Sequence, residues 1–242
     1  MKIIGCIPSR YASTRLPGKP LCDIAGKPMV LRVIEKARQA KRLHDVVVLT
    51  DDQRILDTVN NAGYKAVMTS SDCASGTDRI AEYMQQAEGD IFVNMQGDEV
   101  LLNPHHIDQL VEDFTGSADA QMGTLAHWVD DKAILADPST AKIVTDLQGK
   151  ALYFSRNCIP VTQSGEYPEQ ALIHIGVYIY SRQTLQKLTS QAQTPLEKLE
   201  KLEQLRALEC GIRINVTTVD NYQSLSVDTP QDLEKARKIF QL

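Results

Sequence analysis

Apolar positions in the first half of the chain fall in short unbroken runs, and segments with helical spacing separate them. Ile3–Ile7 is such a run, closed by Pro8, and predicts a buried strand. Residues 8–28 hold Pro8, Pro17, Pro20, Pro28, Gly18 and Gly26, which predicts a long loop. Val30, Val33, Ile34 and Ala37 share one face of a helix over about 29–41. Asp45–Thr50 reads as a second buried strand, and Asp51-Asp52 starts a helix that reaches about 62 and ends near Gly63. Lys65–Met68 is a third strand, Thr77–Gln86 a helix and Asp90–Met95 a fourth strand. This alternation predicts an α/β fold with a parallel sheet and crossover helices.

The pattern changes after about 120. Thr124–Trp128, Ala141–Thr145, Ala151–Phe154 and Ile173–Tyr180 read as strands with fewer helices between them, so a mixed sheet or strand-rich insertion is expected over about 120–180. Leu196–Glu209 reads as one strong helix, with leucines at 196, 199, 202, 205 and 208 and Gly211 closing it. Leucines three apart spread around a helix rather than along one stripe, so a second covering surface is needed, and a homodimer through this helix or the strand-rich lobe supplies one. Ile212–Val219 returns to strand, and Pro230 opens a C-terminal helix. With no repeat or linker, the chain reads as a single domain, 1–242, with lobes of about 1–118 and 119–210 and a return to the main sheet over 211–242.

Composition narrows the function. A chain of 242 residues that is 43% hydrophobic and 24% charged is an ordinary globular sequence, not a disordered one. No apolar run approaches a membrane span, and Met1–Pro8 is too short for a signal peptide, so the expected compartment is the cytoplasm. The five cysteines form no C-x-x-C pair and read as reduced thiols. A net charge of −5 argues against nucleic acid as a partner. Against that background Lys2, Arg10, Arg15 and Lys19 precede the first acidic residue, Asp23, which suits a small anionic ligand.

In open α/β sheets ligands bind beyond the carboxyl ends of the strands. The loop after the first strand offers Arg10, Arg15 and Lys19 with Ser13, Thr14 and Gly18, a set that can bind a triphosphate, although it is neither a Walker A loop nor G-x-G-x-x-G. Ser75-Gly76-Thr77-Asp78-Arg79 is a helix N-cap and first turn, and such an N-terminus also receives polar ligand groups. Asp98 closes the fourth strand beside Glu99 and can hold Mg²⁺; Asp228, before Thr229-Pro230, is a second such residue or simply a helix start. The period of two puts His174, Gly176 and Tyr178 on one strand face, as a polar wall or a half-exposed strand.

The run Ile7–Leu21 resembles the signature loop of the 3-deoxy-manno-octulosonate (Kdo) cytidylyltransferase family. Further blocks resemble it in order: Ser75–Arg79, Gln96-Gly97-Asp98-Glu99, Tyr153-Phe154-Ser155-Arg156, His174–Tyr178, Pro195-Leu196-Glu197, Leu202–Arg206 and Val227–Pro230. Ser9 stands where the family usually has Ala and Val100 where it has Pro; Cys158 is unusual and 161–171 is short. The resemblance implies an open, mostly parallel Rossmann-like nucleotidyltransferase sheet with a strand-rich second lobe. It implies transfer of CMP from CTP to the anomeric hydroxyl of Kdo with release of pyrophosphate, for lipopolysaccharide biosynthesis. It makes Lys19, Asp98 and Asp228 catalytic, with Mg²⁺ on the two aspartates. It assigns Arg10, Ser13, Arg15, Lys19, Ser75, Gly76 and Gln96 to CTP. Gln96, Arg156, His174, Tyr178, Glu203 and Gln204 are assigned to the sugar acid. Family members are commonly homodimers. Weighed beside this are an 8-amino-Kdo or sialic acid enzyme, a non-catalytic nucleotide-binding protein and a pure scaffold; the last two leave the paired aspartates and the basic loop without purpose.

Overall fold

The computed structural model describes residues 1–13 and 15–241, so Thr14 of the basic loop lies outside the described residues. The chain forms two compact units, 1–108 with 223–242, and 109–222.

The first unit is built on four parallel strands, β1 (Ile3–Pro8), β2 (Asp45–Thr50), β3 (Lys65–Met68) and β4 (Ile91–Asn94), in the spatial order β4-β1-β2-β3. α1 (Met29–Ala37), α2 (Gln53–Asn61) and α3 (Gly76–Met84) connect them, as the alternating pattern predicted. β1 and β4 are buried on both faces, which is why their sequences are apolar runs without alternation. α1 stops at Ala37, short of the expected 41, because Gln39 and Ala40 donate to the carbonyls three residues back and tighten the chain into a turn. Asp52 caps α2 by accepting from the Arg54 N–H, and Ser75 and Asp78 form a reciprocal capping box on α3.

The chain passes into the second unit within α4 (Pro104–Gly116), a helix the sequence reading missed. This unit has the expected mixed sheet: β5 (Met122–Val129), β6 (Lys142–Thr145), β7 (Ala151–Ser155), β8 (Ala171–Ser181) and β9 (Ile214–Thr218). Two short helices lie among these strands, α5 (Lys132–Ala136) and α6 (Arg182–Thr189), both also missed. β8 runs antiparallel to β5 and β6, β7 is antiparallel to β6, and β9 is parallel to β5. The chain re-enters the first unit at Gln223 and ends in α9 (Pro230–Phe240), opened by Pro230 as expected.

The helix expected over 196–209 is corrected to two, α7 (Pro195–Glu200) and α8 (Gln204–Glu209), separated by Lys201 at φ 55. Local leucine spacing lost to tertiary hydrogen bonding. Arg156 donates from Nε to the Glu200 carbonyl (2.6 Å) and from Nη2 to the Lys201 carbonyl (3.2 Å). The two short helices are tied across the break by a buried pair, Glu197 with Arg206, at 2.5 and 2.8 Å. Leu202 and Leu205 are buried, whereas Leu199 is 79% exposed.

Removing one member of that pair leaves the other charge buried without its partner. Arg206→Ala is expected to cost about 3 kcal/mol of stability in urea denaturation, and Glu197→Leu with Arg206→Leu to recover most of it. Burial raises the Glu197 pKa, but Arg206 outweighs it and holds the carboxyl below the ordinary range. The pair's contribution is therefore present above that range and declines as pH falls through the depressed value.

Candidate active site

The carboxyl ends of β1 and β4 and the N-terminus of α3 border a cavity of about 510 Å³ in the first unit. Arg10, Ser13, Arg15, Lys19, Ser75, Gly76, Gln96, Asp98 and Asp228 all line it, so the structure gathers the whole set that the sequence assigned to the nucleotide and metal. Gly97 is the residue that lets the wall close: a Cβ there would stand 2.8 Å from both the Pro8 carbonyl and Ser9 Oγ.

Lys19 is the electrostatic centre. Its Nζ donates to Asp98 Oδ2 at 2.6 Å and to Asp228 Oδ1 at 2.9 Å, and Arg15 Nη2 reaches the same Asp228 oxygen at 3.1 Å. Burial works against the ammonium, but the two carboxylates prevail and raise its pKa, Asp98 contributing most. Asp228 is delivered by the turn before α9, whose capping box joins Thr229 and Asp232.

Glu99 is the residue whose role the sequence reading did not find. Its carboxylate accepts from Leu225 N–H and Ser224 Oγ, both at 2.9 Å, while Val227 N–H donates to the Asp98 carbonyl (3.1 Å). Glu99 thus fastens the segment before Asp228 to the segment of Asp98. Sequence showed only a second carboxylate beside Asp98; its partners are more than a hundred residues away. Val100 also acts here, because its N–H donates to the Leu225 carbonyl and a proline has none to give. Buried Arg79 was read only as part of the α3 start. It joins Asp51 Oδ2 (2.8 Å), the Thr69 hydroxyl and the Ser70 carbonyl at the cavity's edge.

Two carboxylates on one ammonium suit Mg²⁺, a hard cation that takes one or two protein carboxylates and fills its shell with phosphate and water oxygens. Among the described residues no cluster of three or more His, Cys, Asp or Glu forms a dedicated metal cage.

The residues assigned to the sugar acid, Gln96 apart, belong to the second unit. β8 contains a bulge between Ile175 and Tyr178 opposite Leu125 and Thr124. His174 and Tyr178 face the same way across it, with ring centroids 5.3 Å apart. Tyr178 Oη donates to Gln204 Oε1 at 3.1 Å, and Gln204 Nε2 is buried without a hydrogen-bond partner among the described residues. The Thr124 hydroxyl lies 2.8 Å from the Val177 carbonyl and 3.2 Å from the Ile175 carbonyl, and shares a 2.9 Å hydrogen bond with His174 Nε2. Burial lowers the His174 pKa to about 3, and raises that of Tyr178, helped by Tyr180 and Glu203. Arg156 is engaged with three backbone carbonyls, of Pro138, Glu200 and Lys201. Its own carbonyl is held by the buried Lys142 ammonium, which also binds the carbonyls of Asp137 and Thr140.

The chain is also similar to proteins that are already known. Residues 4–214 match the Cytidylyltransferase family. The chain is 44% identical to the 3-deoxy-manno-octulosonate cytidylyltransferase of Trichlorobacter lovleyi, over 98% of each chain. It is 47% identical to the 8-amino-3,8-dideoxy-manno-octulosonate cytidylyltransferase of Shewanella amazonensis, over 97% of each. A solved structure of CMP:2-keto-3-deoxy-manno-octonic acid synthetase complexed with CTP superposes with a TM-score of 0.94 at 41% identity, covering 100% of this chain and 99% of that one. A cytidylyltransferase from Leptospira borgpetersenii shares the fold, with a TM-score of 0.67 at 18% identity. The sequence, the α/β fold and the cavity place the chain in the cytidylyltransferase family, among the 3-deoxy-manno-octulosonate cytidylyltransferases.

Proposed function

We propose that this protein transfers CMP from CTP to the anomeric hydroxyl of Kdo, releasing pyrophosphate, as a cytoplasmic step in lipopolysaccharide biosynthesis. The observation that carries the reading is the convergence of Lys19, Asp98 and Asp228 in a cavity lined by Arg10, Arg15 and the α3 N-terminus. The anomeric hydroxyl gives up its proton to water as its oxygen attacks the α-phosphorus, the bond from that phosphorus to the bridging oxygen breaks, and pyrophosphate leaves with the electron pair. Such a transfer depends on alignment and charge neutralisation more than on a covalent enzyme intermediate. Arg10, Arg15 and Lys19 offset the triphosphate charge, and Ser13, Ser75, Gly76 and Gln96 bind the nucleotide. Asp98 and Asp228 would hold Mg²⁺, which when bound supplies further neutralisation at the phosphates. Gln96, Arg156, His174, Tyr178, Glu203 and Gln204 bind the sugar acid. A neutral imidazole beside Tyr178 and Gln204 suits a polyhydroxylated ligand, since neutral donors and acceptors discriminate hydroxyl positions.

The 8-amino sugar is a second reading, favoured by the 47% identity to the Shewanella enzyme. Pyrophosphate release from CTP with Kdo, 8-amino-Kdo and sialic acid in parallel decides between them. Kdo is expected to turn over fastest; faster turnover of the amino sugar establishes the second reading, and none with any of the three rejects both. In the same assay Asp98→Asn should lose at least a thousandfold in kcat, about 4 kcal/mol of transition-state stabilisation, while its far-ultraviolet circular dichroism matches wild type.

His174 is expected to stay neutral from pH 8 to about 5, with no movement of its ring resonances in NMR titration. Because the unfolded imidazole takes its proton near pH 6.5 and the folded one only near 3, this residue makes the protein less stable as pH falls through that window. His174→Gln should flatten that part of the stability profile.

We further infer a homodimer formed through the second unit, where Trp128, Leu152 and Leu199 are exposed at 52%, 61% and 79%. The 196–209 segment contributes as two short helices rather than the single one expected. Sedimentation velocity at micromolar concentration should give twice 26.9 kDa; a species at the chain mass rejects the dimer.

A further inference from the structure

The loop that presents Arg10, Ser13 and Arg15 to the cavity is pinned at one aromatic residue. Gly18 N–H donates to the Tyr11 carbonyl at 3.1 Å and closes the loop on itself. The Tyr11 side chain packs on Gly18, where an added Cβ would stand 3.0 Å from Cζ and Oη, and Gly18 has φ 68. The Arg54 guanidinium covers the same ring, 3.4 Å from its centroid. Arg54 is itself fixed: Nε donates to Asp52 Oδ1 at 2.9 Å and Nη2 to Asp52 Oδ2 at 2.7 Å, a two-pronged contact that holds the guanidinium plane. Asp52 is in turn fixed as the cap of α2, accepting from the Arg54 N–H at 2.9 Å. A continuous series of contacts therefore runs from the start of α2 through Asp52, Arg54 and Tyr11 to the loop. Arg10, Ala12 and Ser13, beside Tyr11 in the chain, line the cavity, whereas Tyr11 and Arg54 are not among its lining residues.

We propose that Arg54, oriented by Asp52, is a positioning residue: by clamping Tyr11 it sets the loop for the triphosphate without touching the nucleotide. This rests on the reading of the cavity as the CTP site. The clamp holds a loop whose own polar groups point to a charged ligand, so its loss falls on CTP capture and leaves the chemical step and the sugar site alone. A rival account, in which the Arg54 charge attracts the triphosphate through space, makes the opposite prediction for Asp52. Asp52→Asn still caps the helix but loosens the guanidinium. It also removes a negative charge, so a field effect tightens CTP and a loosened clamp weakens it.

The experiment is steady-state kinetics with CTP and Kdo varied separately, together with calorimetric titration of CTP, for wild type, Arg54→Ala, Arg54→Lys, Asp52→Asn, Tyr11→Leu and the Arg54→Ala/Tyr11→Leu double variant. Arg54→Ala is expected to raise KM for CTP about three- to fivefold, the weight of one partly exposed cation–π contact, with kcat and KM for the sugar within twofold of wild type. Arg54→Lys should recover part of the loss and Asp52→Asn should raise KM for CTP. The double variant should be no worse than the poorer single one, because both break one clamp. An unchanged KM in Arg54→Ala, a lowered KM in Asp52→Asn, or additive losses in the double variant overturns the proposal. Wild-type protein that binds no CTP overturns the site reading and the clamp with it, whereas normal wild-type binding with unaltered variants overturns the clamp alone.

Discussion

Two carboxylates from positions 98 and 228 share one ammonium, and the rest of the first unit is arranged so that they can. Left to themselves, Asp98 and Asp228 repel; Arg15 reaches Asp228 at 3.1 Å, but among the described residues only one cation meets both. That cation is Lys19, at 2.6 and 2.9 Å. A polar meeting of this kind is worth little unless its members are held in place, because ordering long side chains costs conformational entropy. Here the backbone does the holding. Lys19 opens a 3₁₀ turn after Gly18, Asp98 follows the buried β4 strand, and Asp228 precedes a capped helix. Glu99 then joins the last two segments through Ser224 and Leu225. The group that joins the segments carrying these two carboxylates is therefore neither of them.

The second unit handles its buried polar groups in a similar way, with different partners. Lys142 is fully enclosed and meets three backbone carbonyls rather than a carboxylate, and burial lowers its pKa. One of those carbonyls belongs to Arg156, whose guanidinium takes up carbonyls freed where α7 breaks before α8. The break sets the start of α8, and with it Gln204, at the Tyr178 hydroxyl. A segment that looks in sequence like a simple leucine helix is thus bent to serve the polar wall beside it. The exposed Leu199 and the buried Leu202 and Leu205 follow from that break and not from a continuous stripe.

Much of this was legible from the sequence. Strands buried on both faces announce themselves as unbroken apolar runs, and β1, β2 and β4 were found because burial on both sides removes polar alternation; β3 is an edge strand with partly exposed residues, found from its place between two helices. Capping residues marked α2, α3 and α9 because the first turn of a helix needs acceptors for its free N–H groups. The basic loop, Asp98 and Asp228 each had an ordinary reading as a solvated loop, a turn or a helix start, and stood out because they fall in blocks that resemble one family in order. The fold family followed from their order along the chain.

Only the tertiary structure decided which groups meet. Spacing along a chain carries no information on partners a hundred residues away, so the Glu99 fastening and the shared Lys19 contact were invisible. The stacking of Arg54 on Tyr11 was hidden for the same reason. Helices at 132–136 and 182–189 were missed because their apolar faces are short, whereas the one at 104–116 carries a legible stripe, Ile107, Leu110, Val111 and Phe114, that the sequence reading passed over. The leucine segment was misread because propensity favours one helix by a few tenths of a kcal/mol per residue, while leaving Glu197 or Arg206 buried without the other costs about 3 kcal/mol or more. Local preference determined which elements this chain can form; long-range hydrogen bonds and buried charges, each stronger than any one preference, decided where those elements end and which side chains face one another.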